Sequence, residues 1–278
     1  MLTSALPPRR RSWTLLVGLV LVSVVVATAL VSLVWLPFDP SDTSGTRLEG
    51  PNATHWLGTD KLGRDLATQL MIGARIALTV GLGSVAVGAV IGISVGLVAA
   101  FAASWLDDTI SAALDVVIAF PVLLLAMLIV AAQGASLGSV ILAIGLAMSA
   151  IVARLTRVLT KRVLGEQFVT AARTSGTRWP GIVARHILPN IWPTLSVNLA
   201  LQFGVAVLAE ASLSYLGLGA PPPNASWGRL LQEAQGTVVT APVGAIAPGL
   251  ALVALVIGVN FVADGLRDVA DPSRRRSR

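Results

Sequence analysis

Long runs without a single charge leave this chain few ways to fold. Ser12 to Phe38 and Ile76 to Leu106 contain no acidic or basic residue, and each exceeds the roughly 20 helical residues that cross a bilayer core. Further apolar runs cover Thr109 to Ala132, Leu137 to Leu159, Ile191 to Leu216 and Val243 to Ala263. A water-soluble globule cannot hide six such runs. With 55% apolar residues, 12% charged residues and a mean hydropathy of +0.80, too little polar surface remains to cover them. In lipid each segment must satisfy its own backbone polar groups, so helices are the expected form. The chain reads as an all-α membrane protein with six transmembrane helices.

The charges orient it. Arg9-Arg10-Arg11 precede the first run and Arg274-Arg275-Arg276 follow the last. Fifteen of the twenty basic residues fall in the two tails or between Arg154 and Arg185, whereas Arg47, Lys61, Arg64, Arg75 and Arg229 fall in the alternate connections. The positive-inside rule therefore puts both termini and the connection after the fourth span in the cytoplasm. A cleaved signal peptide is the rival for the first run. Signal apolar regions extend only about 7–15 residues, and no small-x-small cleavage pattern follows Trp35-Leu36-Pro37. A net charge of +6 would suit nucleic acid in a soluble protein, but here it flanks membrane spans, so the lipid bilayer is the expected partner and nucleic acid is not. The sequence contains no cysteine, which excludes disulfides and thiolate metal sites. Two parts are expected. Residues 1–75 hold the N-terminal tail, the first span and an outer connection from Asp39 to Arg75; residues 76–278 hold a five-helix core.

Within the second run Ser84, Gly88, Gly92 and Gly96 recur every four residues and form a smooth stripe suited to close helix packing. The third run is interrupted by Asp115 and Pro121. The proline removes a helix hydrogen bond and should bend or loosen the span. Asp115 serves either a function or a structural hydrogen bond. In the fifth run Asn198, Gln202 and Glu210 lie close to one helix face. Polar groups inside a membrane face protein or water, so this stripe, with Asp115, is the candidate translocation path; helix-to-helix hydrogen bonding is the competing explanation. Between the fifth and sixth runs lies a second outer loop, Gly217 to Thr240, with Pro221-Pro222-Pro223 and Trp227.

The longest polar interruption in the C-terminal two thirds is Lys161 to Asn190, KRVLGEQFVTAARTSGTRWPGIVARHILPN. It carries Lys161, Arg162, Arg173, Arg178 and Arg185. Val163, Leu164, Phe168, Val169, Ala171 and Ala172 recur near helical spacing, which gives one buried and one wet side. Gly176 is a helix stop. A second short helix is expected from about Trp179 to His186, ended by Pro189. Two amphipathic helices joined at a glycine suit docking of a soluble partner.

Thr170-Ala171-Ala172, Gly176 and Leu188-Pro189 resemble the "EAA" loop of importer-type ABC permeases. Further stretches resemble the dipeptide/oligopeptide/nickel branch and its C-type permease: His55-Trp56-Leu57-Gly58-Thr59-Asp60 with Gly63-Arg64-Asp65, Ala119-Phe120-Pro121, Ala209 to Gly219, Ser226-Trp227-Gly228, and Asp264-Gly265-Leu266-Arg267-Asp268. The likeness runs from the first span onward. It implies six spans, both termini cytoplasmic, in a bacterial cytoplasmic membrane. It also implies that the loop docks on an ATPase through Glu166, Phe168, Thr170, Ala171, Ala172, Arg173, Gly176, Trp179, Arg185, Leu188 and Pro189. The implied partners are a second permease subunit, two cytoplasmic ATPase subunits or domains holding ATP and Mg, and an extracytoplasmic substrate-binding protein; the implied cargo is a peptide or related solute. Thr170 stands where the family has glutamate and His186 where it has isoleucine, so no charge contact at Thr170 is carried over.

The chain itself is not expected to be an enzyme or to hold a cofactor or metal. Neither lysine sits in the Gly-Lys-Ser/Thr context of a phosphate-cradling loop. His55 and His186 are expected on opposite sides of the membrane and cannot share a site. The alternative function is an ion-coupled secondary transporter, which would require carboxylates near the midplane. A structural scaffold would not need the helix-glycine-helix loop.

Overall fold

The computed structural model describes residues 13–221 and 224–270. The arginine triplets at both ends and Pro222–Pro223 lie outside that range. The described chain runs α1 (Trp13–Val34), α2 (Leu66–Phe101), α3 (Ser104–Ala119), α4 (Val122–Gln133), α5 (Leu137–Leu164), α6 (Gln167–Thr174) and α7 (Trp179–Ile182). A π-helical turn (Val183–Ile187), α8 (Leu188–Tyr215), α9 (Trp227–Ala234) and α10 (Val243–Ala270) complete it. Among the described residues the only β pairing is an isolated bridge between Thr59 and Asp65. Five helices are long and apolar enough to cross a membrane, and the bent pair α3–α4 makes a sixth span if counted as one.

Three boundaries differ from the sequence expectation. The outer connection ends at Asp65, ten residues before Arg75. The Asp65 carboxylate accepts the Thr68 amide at 2.7 Å and so caps α2, which then continues through Arg75; a charge marked the end of an apolar run but not of a helix. The division at 75/76 therefore falls inside α2. The third span starts at Ser104 rather than Thr109; its bend at Pro121 is the expected one, the chain turning by 89° between α3 and α4 where Phe120 and Pro121 leave the helical conformation.

The third difference is at Pro189, which does not end a helix. The Leu188 amide bonds to the Val183 carbonyl, one residue further back than in an α-helix. This π-turn re-registers the chain just where Pro189 supplies no N–H and would crowd the preceding turn. As a result Trp179 to Tyr215 runs as one apolar helical stretch of 37 residues, about 55 Å long at 1.5 Å per residue.

The centre of the bundle is the pair α2–α5, the most extensive helix contact in the molecule. The stripe of small residues faces α5. Ser84 donates to the Ile141 carbonyl at 3.2 Å, and a Cβ on Gly92 or Gly96 would stand 2.7 Å from the Ser149 carbonyl or 2.5 Å from that of Ala153. Ile144 and Met148 of α5 then meet Ala206, Ala209 and Leu213 of α8 in the largest apolar cluster. α1 lies against α10 in antiparallel fashion, with Gly265 beside Leu15 and Gly258 beside Leu21. The start of α1 and the end of α10 thus share one end of the bundle. Phe101, at the end of α2, packs on Trp179 there, so residues 161–190 lie at that same end. The 39–65 connection and α9 occupy the other.

Candidate functional site

At the loop end, α5 finishes on Lys161 and Arg162 in its last turn, where positive charge suits the helix C-terminus. α6 follows after Gly165. Its amides close the turn in the manner of a Schellman cap: Gly176 N–H to the Arg173 carbonyl at 3.0 Å and Thr177 N–H to the Ala172 carbonyl at 3.1 Å. Gly176 has φ +84°, a conformation nearly reserved for glycine. The chain then turns into α7.

Burial splits the loop into two faces. Val169, Ile182, Ile187 and Ile191 form a sealed cluster, with Leu97, Leu159, Val163, Leu164 and Ala172 packed around it. Glu166, Phe168, Thr170, Ala171, Arg173, Gly176, Arg178, Trp179, Arg185 and Pro189 are exposed. Leu188 is half-buried beside the cluster. Arg173 places its guanidinium 4.5 Å over the Trp179 ring, and Trp179 meets Phe101 edge-on at 4.9 Å. Phe168 stands 6.1 Å from His186. The loop is therefore a preformed, basic, aromatic-studded surface riveted to the bundle by four buried aliphatic side chains.

A second fastening adjoins it. Asp107, in the first turn of α3, receives Arg157 through Nε at 2.5 Å and Nη2 at 2.7 Å, and also the Lys161 ammonium. Asp107 is buried, so this triad joins α3 to the last turns of α5.

The four candidate path residues do not form one row. Asn198 and Gln202 lie on α8, and the Asn198 Oδ1 and Gln202 Nε2 atoms are buried without a hydrogen-bond partner. Glu210 lies further along α8, 2% exposed. It accepts the Ser214 hydroxyl at 2.7 Å. Asp115 is on α3, paired with Arg154 of α5 at 3.1 Å, both side chains 58% exposed.

The other end of the bundle carries an unanticipated polar network. Asp60 accepts the Arg64 side chain at 2.6 Å, Arg64 reaches Glu233 of α9 at 2.7 Å, and Arg229 joins the same carboxylate at 2.9 Å. His55 contacts Asp65, the α2 cap, at 3.0 Å. Trp227 is buried and donates its indole N–H to the Leu70 carbonyl at 3.0 Å. The signal was present in the Gly-Arg-Asp and Ser-Trp-Gly-Arg stretches, but their partners are separated by some 160 positions.

A multi-span helical bundle with a rigid basic loop at one end defines a membrane permease component. Residues 88–276 match the family described as "Binding-protein-dependent transport system inner membrane component", and the chain belongs to that family. Among curated relatives, it is 36% identical over 261 residues to the dipeptide transport system permease protein DppC of Alkalihalophilus pseudofirmus, covering 94% of this chain and 86% of that one. It is 41% identical over 224 residues to the glutathione transport system permease protein GsiD of Pectobacterium atrosepticum, covering 81% and 74%. With a putative peptide transport system permease protein of Brucella suis biovar 1 it shares 39% identity over 265 residues, covering 95% and 88%. A solved chain from inward-facing conformations of the MetNI methionine ABC transporter superposes with a TM-score of 0.62 at 21% identity, covering 73% of this chain and 96% of that one; this likeness is one of fold.

Proposed function

We propose that this chain is one of two permease subunits of an ATP-driven importer of peptide-like solutes in the bacterial cytoplasmic membrane. The loop 161–190 is the handle by which a cytoplasmic ATPase works it. The observation that carries this proposal is the union of that handle with a span: α7, the π-turn and α8 form one stretch of 37 residues, so a push on Trp179 and Arg173 tilts the whole helix. ATP and Mg belong to two ATPase subunits or domains, both termini face the cytoplasm, and an extracytoplasmic binding protein delivers the solute at the end carrying α9. The path runs between this chain and its partner permease. Asn198 and Gln202, on the driven helix, are its candidate lining. Peptide cargo is supported by the names of the dipeptide and glutathione relatives.

An ion-coupled carrier is the opposing mechanism, and energetics separates the two. In vesicles holding the full complex, uptake of a labelled dipeptide or glutathione should persist when a protonophore and a sodium ionophore collapse all gradients while ATP is maintained, and should stop on ATP depletion. Uptake that follows the gradient and ignores ATP would overturn the proposal.

A further inference from the structure

Asp107 takes no part in the docking surface, yet it is the only buried residue of α3. The rest of that helix meets its neighbours through half-buried or exposed side chains, so apolar packing does little to hold it. α4 is the opposite: Ala126 and Val130 are fully buried in the central cluster with Val140 and Ile144 of α5. The two halves of the third span are thus fastened by different means. Their joint is Phe120–Pro121, where the chain turns by 89°. At its other end α3 is linked to α2 through Ala102 and Ala103, again in extended backbone. Such element-terminal residues can absorb a change of tilt in the helix between them.

Charge sets that tilt. Asp107 receives two nitrogens of Arg157, at 2.5 and 2.7 Å, and the Lys161 ammonium. Bidentate arginine pairing fixes orientation as well as distance. The other ion pair of this seam, Asp115 with Arg154, has both side chains exposed, and open pairs of that kind contribute little. Lys161 is the first residue of the loop 161–190. The end of α5 also supplies Leu159, Val163 and Leu164 to the cluster that rivets the loop. Asp107 therefore ties α3 to the base of the handle, not to the central core.

We infer that Asp107 is a positioning residue for transport: it makes α3 follow the base of the handle, so that a push on the loop tilts α3 about Phe120–Pro121 while α4 stays with the core. This rests on the proposed role of the loop and extends it, since the driven set then includes α3 as well as α7–α8. The proline bend becomes a joint between a moving half-span and a fixed one.

The absence of native cysteine allows spin-label pairs in the complete complex. One pair, Thr109→Cys on α3 with Leu124→Cys on α4, both exposed, reports the tilt. A single maleimide site, Thr174→Cys on the exposed loop, reports the handle. In otherwise native vesicles the 109–124 distance should shift between nucleotide-free and vanadate-trapped states. The labelling rate at 174 should change about fivefold or more, the lower range of allosteric coupling. With Asp107→Ala the distance should no longer depend on nucleotide although 174 still responds. Uptake should fall at least about fivefold while the complex goes on hydrolysing ATP; a residue that served stability alone would lose both activities together. The exchange Asp107→Arg with Arg157→Asp keeps one bidentate pair and leaves Lys161 one turn from the relocated carboxylate. It should restore the nucleotide-dependent shift and bring uptake back to within about twofold. A shift that survives Asp107→Ala, or one absent from the native chain while 174 responds, overturns the role of Asp107 and leaves the importer function standing. So does an exchanged pair that inserts without restoring the shift. Silence at both reporters in vesicles that import solute overturns the handle itself.

Discussion

Replacing Gly176 with valine is expected to lower uptake by at least about tenfold, equivalent to some 1.4 kcal/mol in the rate-limiting step, while the chain still inserts. There is room for a side chain, since nothing lies within 4 Å of the added Cβ. The obstacle is the backbone, at φ +84°. A left-handed conformation costs an ordinary L-residue about 1–2 kcal/mol, and branching at Cβ adds to that. The loop can relieve the strain only by changing the angle between α6 and α7. That shift moves Phe168 away from Trp179 on the exposed surface, because the buried anchors Val169 and Ile182 sit on opposite sides of the turn. Gly176→Asn should retain most activity, as asparagine visits this region readily. Uptake per inserted chain for the two variants is the deciding comparison. Equal activity would show that the loop geometry does not matter.

Trp227→Ala should cause the largest loss of stability of any single change considered, about 3–5 kcal/mol by analogy with other large-to-small aromatic substitutions. The indole is 2% exposed. It fills a notch opened by Gly73, where a Cβ would come within 2.3 Å of the ring, and it donates to the Leu70 carbonyl. Removing it leaves a cavity between α9 and α2 and takes away a buried hydrogen bond. Trp227→Phe keeps most of the volume and loses only the donor, so its cost should be nearer 1 kcal/mol, the typical net value of one such bond. Thermal unfolding of the purified chain in detergent would rank native, Phe and Ala in that order. An alanine variant as stable as the native chain would show that α9 is not anchored as described.

The helices were largely legible because lipid makes the hydropathy signal strong: uncharged runs such as Ser12–Phe38 leave little ambiguity. The stop at Gly176 was readable too, since a left-handed residue is a local requirement. What the sequence concealed was non-local or cooperative. Arg75 suggested a boundary because charge is a poor fit to lipid, yet Asp65 had already started α2 ten residues earlier. Pro189 suggested a terminus because proline breaks an α-helix, yet a π-turn absorbed it and joined the loop to the span. Glu210 resembled Asn198 and Gln202 by helical phase alone; whether it is paired, as it is with Ser214 one turn on, or left open depends on side-chain packing that spacing does not show. The Asp107 triad and the Arg64–Glu233 bridge likewise required the tertiary structure.

The most direct test concerns which molecule touches the loop. A chain carrying Arg178→Cys as its sole cysteine, armed with a short photoreactive maleimide and expressed with the rest of its transport system, should cross-link to the cytoplasmic ATPase subunit, with a yield that changes when ATP is trapped. The cysteine should be unreactive to a membrane-impermeant maleimide in intact cells and become reactive once the cytoplasmic face is opened. Labelling of position 178 from outside intact cells, with no adduct to the ATPase, would contradict the account at its foundation.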